Sequence, residues 1–153
     1  MGFREKSVRA MMVLAAIAAC FAVCAPATSA KASKPPVFWI DLAGTAQQHP
    51  RMVFFTANSG PQVQNIKWTG WGKNRSVGRG TYLRTSPPPP GGKNPRGPAR
   101  IVVWKPVSCV PEFGTREGKK IRVYRKAKML RPVEGGGRKW VDISGYTGWV
   151  VCK

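Results

Sequence analysis

Acidic residues and histidine are scarce in this sequence. Its 153 residues contain 6 Asp and Glu and 1 His, against 26 Lys and Arg. Carboxylates and imidazoles are the usual general acids and bases of catalysis. The sequence also lacks a serine nucleophile elbow, a His-Glu-x-x-His zinc motif, a phosphate-binding P-loop and a dinucleotide-binding glycine pattern before a helix. These absences predict a protein that is not an enzyme and that uses no cofactor.

The few acidic residues do not combine into a recognisable catalytic set. Those that could supply a pair of glycosidase carboxylates are Asp41, Glu112, Glu117, Glu134 and Asp142. Three of them adjoin Gly or Pro in turn-like polar segments, where carboxylates are usually solvated. His49 lies beside Pro50 between predicted strands, with no acid or nucleophile implied nearby, so we assign it no role. A hydrolase is therefore the third-ranked of three hypotheses.

No hydrophobic run in the sequence is long enough to indicate a membrane span. The longest, residues 10–25, has 16 residues, fewer than the 18 that would argue for a spanning helix. It follows a basic start and precedes small residues that allow cleavage after Ala27 or Ala30. These three parts are typical of a secretory signal peptide over residues 1–30. We therefore expect a secreted, extracellular protein, either free or associated with the cell wall.

A lipoprotein signal is the alternative interpretation of the same segment. Residues 17–20 fit a lipobox that would place a lipid on Cys20. The residues after Cys20 are apolar, however, whereas a lipoprotein tether should be polar. We therefore favour the cleaved signal peptide.

Cysteine is scarce once the signal peptide is removed. Cys20 and Cys24 leave with it, and only Cys109 and Cys152 remain. In an oxidising compartment these two are expected to form a disulfide. A zinc site needs about four ligands, and two cysteines with the distant His49 do not supply them. The sequence predicts one disulfide and no metal site.

What the sequence has in excess is positive charge. Removing residues 1–30 takes away three basic residues and Glu5, which leaves a formal net charge of +18. A field of this sign attracts anionic partners and repels cationic ones.

The mature chain has the pattern of a small all-β domain. Residues 31–36 are predicted to be a short tether, and residues 37–153 a single domain. Short β-branched and aromatic runs separated by turn residues predict strands at 37–42, 51–57, 62–69, 76–84, 100–105, 119–130, 138–143 and 146–152. About eight short strands imply an antiparallel β-sandwich or barrel.

Three connections have the chemistry of tight turns. Residues 58–61, 135–137 and 144–145 are rich in Gly, Ser, Asn or Pro and predict antiparallel pairing of the flanking strands. Residues 86–98 are different, because four consecutive prolines cannot join a ladder. We expect a long exposed loop there.

Six tryptophans could form a sugar-stacking platform, but a domain this small needs large side chains to fill its core. We expect most of them to be buried. Trp71, between Gly70 and Gly72, is the best candidate for exposure.

Two motifs resemble a known group of proteins. Residues 65–72 (NIKWTGWG) and 78–82 (GRGTY), followed by 101–109 (IVVWKPVSC), resemble small secreted actinobacterial proteins of uncharacterised function. The resemblance covers about half of the mature chain and implies export, an all-β fold and an actinobacterial source. Unlike those relatives, this chain has a Pro-rich loop in place of a cysteine pair and an unusually high charge.

A shorter likeness lies at the C-terminus. Residues 140–150 (WVDISGYTGWV) look like the closing hairpin of bacterial SH3-like wall-binding modules. Any Trp-containing hairpin with a Ser-Gly turn would share this pattern.

The densest chemical feature is the cationic segment, residues 116–131, which contains one acid, Glu117. Its basic residues, the predicted polyanion-binding set, are Arg116, Lys119, Lys120, Arg122, Arg125, Lys126, Lys128 and Arg131. In an extended strand, Ile121 and Val123 would lie on one side. The other side would display Arg122, Tyr124, Lys126 and Lys128. Such a row can bind phosphates, sulfates or carboxylates, unless its lysines only keep an edge strand soluble.

The leading hypothesis is a non-catalytic module that binds an anionic polymer or surface, such as a wall polymer, anionic lipid or nucleic acid. The alternative is an inhibitor or toxin-like factor that presents the Pro-rich loop to a partner protein. The first predicts salt-sensitive binding that ignores sequence, and the second a saturable, salt-tolerant complex.

Overall fold

Eight strands make up the regular structure of the chain in the computed structural model, which describes residues 33–57, 60–85, 87–88 and 90–153. They are β1 (Val37–Ile40), β2 (Ala46–Gln47), β3 (Val53–Phe54), β4 (Gln62–Thr69), β5 (Arg75–Leu83), β6 (Arg96–Cys109), β7 (Ile121–Pro132) and β8 (Arg138–Asp142). The predicted signal peptide, with Cys20 and Cys24, lies outside the described residues. None of the described segments forms a helix with the length and hydropathy needed to span a membrane.

The strands form one curled sheet, shaped like half a barrel, in the order β2-β1-β7-β6-β5-β4-β3. β8 pairs with the end of β7, along the same edge that β1 uses near the start of β7. The prediction of an all-β fold is confirmed. The sheet is mixed rather than antiparallel throughout, because β1 runs parallel to β7 with Phe38 opposite Val123.

Two of the three predicted turns connect antiparallel strands. β3 pairs with β4, with Val53 opposite Val63, and β7 pairs with β8 across residues 135–137. The predicted hairpin at Ser144 and Gly145 is wrong, and so is the strand predicted at 146–152. Two short 3-10 turns, Ser144–Tyr146 and Trp149–Val151, occupy this region.

Local hydrogen bonds explain why the C-terminus does not form a hairpin. The Asp142 carboxylate accepts a hydrogen bond from the Ser144 backbone N–H at 2.7 Å, which starts a tight turn directly after β8. Gly148 then reverses the chain with a φ of 83°, a conformation that favours glycine. The apolar residues at 146–152 that predicted a strand therefore lie in 3-10 turns.

Two apolar clusters cover opposite sides of the sheet. The first contains Val63, Tyr82, Ile101, Val103 and Met129, among others, and fills the concave side of β4–β8. The second forms where Phe38, Ile40, Cys109, Ile121 and Val123 meet the C-terminal turns. The disulfide between Cys109 and Cys152 is confirmed and ties these turns to the end of β6, with 5.1 Å between the Cα atoms.

The inward-facing side of β6 and β7 changes halfway along the two strands. Val103 lies in the first cluster, whereas Val107, four residues later, packs against the second. Lys105, between them, has a left-handed φ of 56°. This single backbone conformation moves odd-numbered residues of β6 from one face of the sheet to the other.

The Pro-rich loop is shorter than predicted. β6 already begins at Arg96, so residues 96–98 belong to a strand, and Pro98 lies opposite Thr81 of β5. Pairing between β6 and β7 starts only at Arg100. Pro98 is tolerated because β6 has one neighbour at this point and needs no second N–H donor.

Candidate functional site

The structure separates the eight residues of the predicted polyanion-binding set. Lys119 and Lys120 lie in the exposed turn before β7, and Arg122 is half-buried. Lys126 and Lys128 point to the convex, solvent-facing side of the sheet. The remaining three stack on aromatic rings elsewhere: Arg116 on Phe38 at 4.9 Å, Arg125 on Trp149 at 4.8 Å and Arg131 on Tyr82 at 5.4 Å. They do not form one continuous row.

Tyr124 does not lie beside this row, contrary to the prediction. It is fully buried. Its hydroxyl accepts a hydrogen bond from the Gly72 N–H at 2.9 Å, donates to the Lys73 carbonyl at 3.1 Å and lies 2.6 Å from Ser76 Oγ. The strict alternation assumed from the sequence fails because β7 changes its buried side between Tyr124 and Ala127.

A larger cationic surface forms on the convex side of β4–β8, which we call the outer face. Cross-strand partners share a face of a sheet, so the observed register defines its members. The basic residues of the outer face are Lys67, Arg75, Arg79, Arg96, Arg100, Lys126, Lys128 and Arg138. They come from five strands, and only Lys126 and Lys128 belong to the predicted set.

Three of these cations lie directly opposite one another across the sheet. Lys67 of β4 pairs with Arg79 of β5, and Arg79 pairs with Arg100 of β6. Like charges in directly opposed positions destabilise a sheet by about 0.2–1 kcal/mol per pair. The row of three is therefore unfavourable in the free protein, and a bound anion would relieve it.

Arg79 reaches this position because a glycine flanks it on each side. Gly78 and Gly80 point inward, where an added Cβ would lie 2.8 Å from Ile66 and 2.5 Å from the Gln64 carbonyl oxygen. Only glycine fits such close approaches. The Gly-x-Gly motif thus packs β5 against β4 while exposing the residue in its middle.

Aromatic and aliphatic side chains lie among the cations of the outer face. Val102 is buried although it belongs to this face, and Trp104 and Leu130 are half-buried. Trp140 is 41% exposed, and Lys128 places its ammonium group 4.6 Å from the centre of the Trp140 ring. The long cationic side chains thereby cover apolar area while their charges stay in water.

Asp142 is the one acidic residue at the outer-face positions, all of which the structure describes. The pKa of Asp142 lies below its ordinary value of 3.8, because its carboxylate accepts hydrogen bonds from the backbone and side chain of Ser144. The positive charge of Lys126 lowers it further. The single negative charge of Asp142 can offset only one of the eight positive charges on the outer face.

Arg100 is the outer-face residue with an unmet hydrogen-bonding requirement. Its Nε atom is removed from solvent and has no hydrogen-bond partner among the described residues. Arg100 borders a shallow, open depression of about 430 Å³, together with Arg75, Arg79 and Thr69. Arg75 also borders a second depression of about 330 Å³, lined by Trp104 and Lys128.

Three of the five carboxylates considered for hydrolysis are engaged in local contacts, including that of Asp142 described above. Asp41 accepts hydrogen bonds from the N–H groups of Ala43 and Thr45, and Glu112 pairs with Lys153 at 3.8 Å. Within the described ranges, no group of three or more His, Cys, Asp and Glu residues could hold a metal ion. His49 stacks against Trp71, with 5.2 Å between the ring centroids.

Trp68 and Trp71, two of the tryptophans of the resemblance motifs, are held by hydrogen bonds. The indole N–H of Trp68 donates to the Pro50 carbonyl at 2.8 Å, and that of Trp71 to the Val37 carbonyl at 3.0 Å. The two rings pack edge to face with their centroids 4.7 Å apart. Trp71, the best sequence candidate for exposure, is half-buried, whereas Trp140 is the most exposed of the six.

A signal for the outer face is present in the sequence, although our prediction missed it. Arg75, Val77 and Arg79 alternate with small residues along β5, as do Arg100 and Val102 with buried residues along β6. Each strand contributes only one or two cations, so none of them looks dense by itself. The charge becomes concentrated only when the register aligns the strands.

Comparison with known proteins returned no match to a protein-family model, a curated protein or a solved structure.

Proposed function

We propose that the protein is an exported, non-catalytic module that binds anionic polymers through the outer face of its sheet. The observation that carries the proposal is the set of eight basic residues gathered there from five strands, with Asp142 as their one acidic neighbour. A net charge of +20 alone would attract anions to any part of the surface. The sheet arranges part of that charge in rows at the strand spacing of about 4.8 Å.

The geometry of the outer face favours an extended polymer over a compact ligand. The cations follow the breadth of the sheet from Lys67 on β4 to Arg138 on β8, and the depressions between them are shallow and open. Exposed Lys and Arg side chains recognise charge rather than the sequence of a polymer. The expected partner is therefore a wall polymer, a nucleic acid or another polyanion at the cell surface, in keeping with the predicted signal peptide.

The test compares two variants that lose the same charge. The outer-face variant combines Lys67→Gln, Arg79→Gln, Lys126→Gln and Lys128→Gln, all at exposed positions. The control combines Lys34→Gln, Lys93→Gln, Lys119→Gln and Lys120→Gln, which are also exposed but lie off the outer face. Binding to double-stranded DNA, heparin and a teichoic acid preparation is measured between 50 and 300 mM salt, roughly the range in which counterion release dominates.

The outer-face variant should show a weaker salt dependence of binding, because it removes four of the eight cations of that face. Each lost phosphate contact reduces the slope of log K against log salt by about 0.9 on DNA, so four contacts give a change of about 3 to 4. The control should keep nearly the full slope. Equal loss in both variants would mean that net charge alone governs binding, and a larger loss in the control would favour the turn before β7.

A further inference from the structure

We infer that Arg75, Arg79 and Arg100 form, together with Thr69, a discrete site for a phosphate group on the outer face. The inference rests on the proposed function, because it names the chemical group that anchors the polymer. The four residues line one depression of about 430 Å³, formed where β4, β5 and β6 lie side by side. A tetrahedral oxyanion is the ligand that several converging guanidinium groups and a hydroxyl recognise best.

The cations around the depression have no acidic partner to balance their charge. Arg79 stands directly between Lys67 and Arg100 in the register of the sheet, and all three are cationic. No acidic side chain of the described residues forms an ion pair with Arg75, Arg79 or Arg100 within 4.0 Å. A dianion bound in the depression would offset the repulsion between Arg79 and Arg100.

The Nε donor of Arg100 has no hydrogen-bond partner among the described residues. A guanidinium group always carries its charge and offers five N–H donors in a fixed plane. The Nε donor of Arg100 is shielded from water and has no partner among the described residues. Buried donors are nearly always hydrogen-bonded in folded proteins, so an exception at a cationic depression points to a missing acceptor.

The Gly70 carbonyl group at the rim of the depression is already engaged in hydrogen bonds. A carbonyl group aimed into the site would repel an anion, and Gly70 lies at this rim. Its carbonyl oxygen already accepts hydrogen bonds from the Lys73 N–H and from the Ser76 hydroxyl. The Thr69 hydroxyl, exposed on the same side, is free to rotate and donate to the ligand.

The experiment follows the Nε–Hε signals of arginine by NMR while the full mature chain is titrated with inorganic phosphate. Sodium chloride keeps the ionic strength constant. Arg100→Gln identifies the Arg100 signal by its disappearance, and Arg79→Gln provides a second variant at an exposed position in case the first does not fold. Arg51→Gln is the matched control, because Arg51 is an exposed arginine that belongs neither to the outer face nor to the depression.

We expect a saturable shift of the Arg100 signal and about a tenfold loss of phosphate affinity in Arg79→Gln, with little change in Arg51→Gln. Inorganic sulfate should compete, and acetate should not. Oligothymidylate is then added to the phosphate-bound protein. If it displaces phosphate, the site takes a phosphodiester of a polymer. If it does not, the site takes a free phosphate ion. Both results support the site.

A linear, unsaturable response to phosphate, or equal losses in Arg79→Gln and Arg51→Gln, would overturn the inference. The proposed function has a separate criterion, the salt slope of the outer-face variant. A normal loss of slope without a saturable phosphate response would leave a diffuse polyanion-binding surface and reject the discrete site.

Discussion

Tyr124 illustrates how single residues in this protein combine apolar bulk with a polar tip. Its ring is fully buried and packs against Trp71 at 5.4 Å between ring centroids. Its hydroxyl organises the turn between β4 and β5 by contacting Gly72, Lys73 and Ser76. Arg75, the first cation of the depression along the chain, follows directly after this turn, so the interior hydroxyl helps to position it.

Replacing Tyr124 by Phe should destabilise the protein by about 1–3 kcal/mol, because the Gly72 N–H and the Lys73 carbonyl lose a buried partner. Urea unfolding followed by fluorescence measures the change. Tyr146→Phe is the control, since the Tyr146 ring is half-buried and its hydroxyl makes no hydrogen bond to another described residue. Similar losses in the two variants would show that the Tyr124 hydroxyl contributes nothing specific.

The sequence predicts residue environments well where aliphatic side chains set the pattern. Ile121 and Val123 were expected on one side of β7, and both lie in the second cluster. Basic residues were harder to place, because Arg116, Arg125 and Arg131 cover aromatic rings instead of joining a cationic row. An arginine near an aromatic ring gains both packing and a cation–π contact, and neither partner can be identified before the fold is known.

At the scale of elements, strands were predictable where turn residues bound them. The prediction at 62–69 matches β4, and the hairpins β3–β4 and β7–β8 were expected from their Gly-rich connections. The length of β6 was underestimated, because Pro98 and Pro106 suggested interruptions. Both prolines lie where β6 has a single paired neighbour, β5 at Pro98 and β7 at Pro106, so the ladder loses no donor.

The parallel contact between β1 and β7 had no local signal. These strands are separated by about eighty residues, and their pairing depends on how the sheet curls and on which side each strand buries. The change of buried side at Lys105 is also invisible in a pattern of alternating residues, since it arises from one left-handed backbone conformation. The cations of the outer face come together only through the register of five strands, which explains why only two of the eight were predicted.

The disulfide ties the C-terminal turns to the end of β6, next to a single bridge between Pro111 and Cys152. It closes a segment of 43 residues that contains β7 and β8. Preventing it with Cys109→Ala and Cys152→Ala should cost about 4 kcal/mol, from the loop entropy of the unfolded chain. Thermal unfolding of the oxidised and double-variant proteins measures the difference, and mass spectrometry confirms the pairing in the exported chain. An unchanged stability would indicate that the second apolar cluster holds the turns without the covalent link.

At the scale of the whole molecule, the charge that serves binding opposes folding. Opposed cations such as Lys67, Arg79 and Arg100 repel one another more strongly in the folded sheet than in an extended chain. Salt screens this repulsion, because the Debye length falls from about 30 Å at 0.01 M to about 3 Å at 1 M. The same salt weakens attachment to a polymer. Stability and polyanion binding should therefore respond to ionic strength in opposite directions.

We accordingly predict that raising sodium chloride from 10 to 300 mM, roughly a fivefold shortening of the Debye length, increases the melting temperature of the mature chain. Two opposed like-charge pairs contribute about 1 kcal/mol, which corresponds to about 4 °C for a domain of this size.

The outer-face variant should melt at a higher temperature in low salt and gain less from added salt, because Lys67 and Arg79 no longer repel Arg100. The control variant loses the same net charge but keeps the opposed pairs, so it should retain most of the salt response. A melting temperature that is insensitive to salt, or equal responses in the two variants, would mean that the rows of the outer face carry no strain in the free protein.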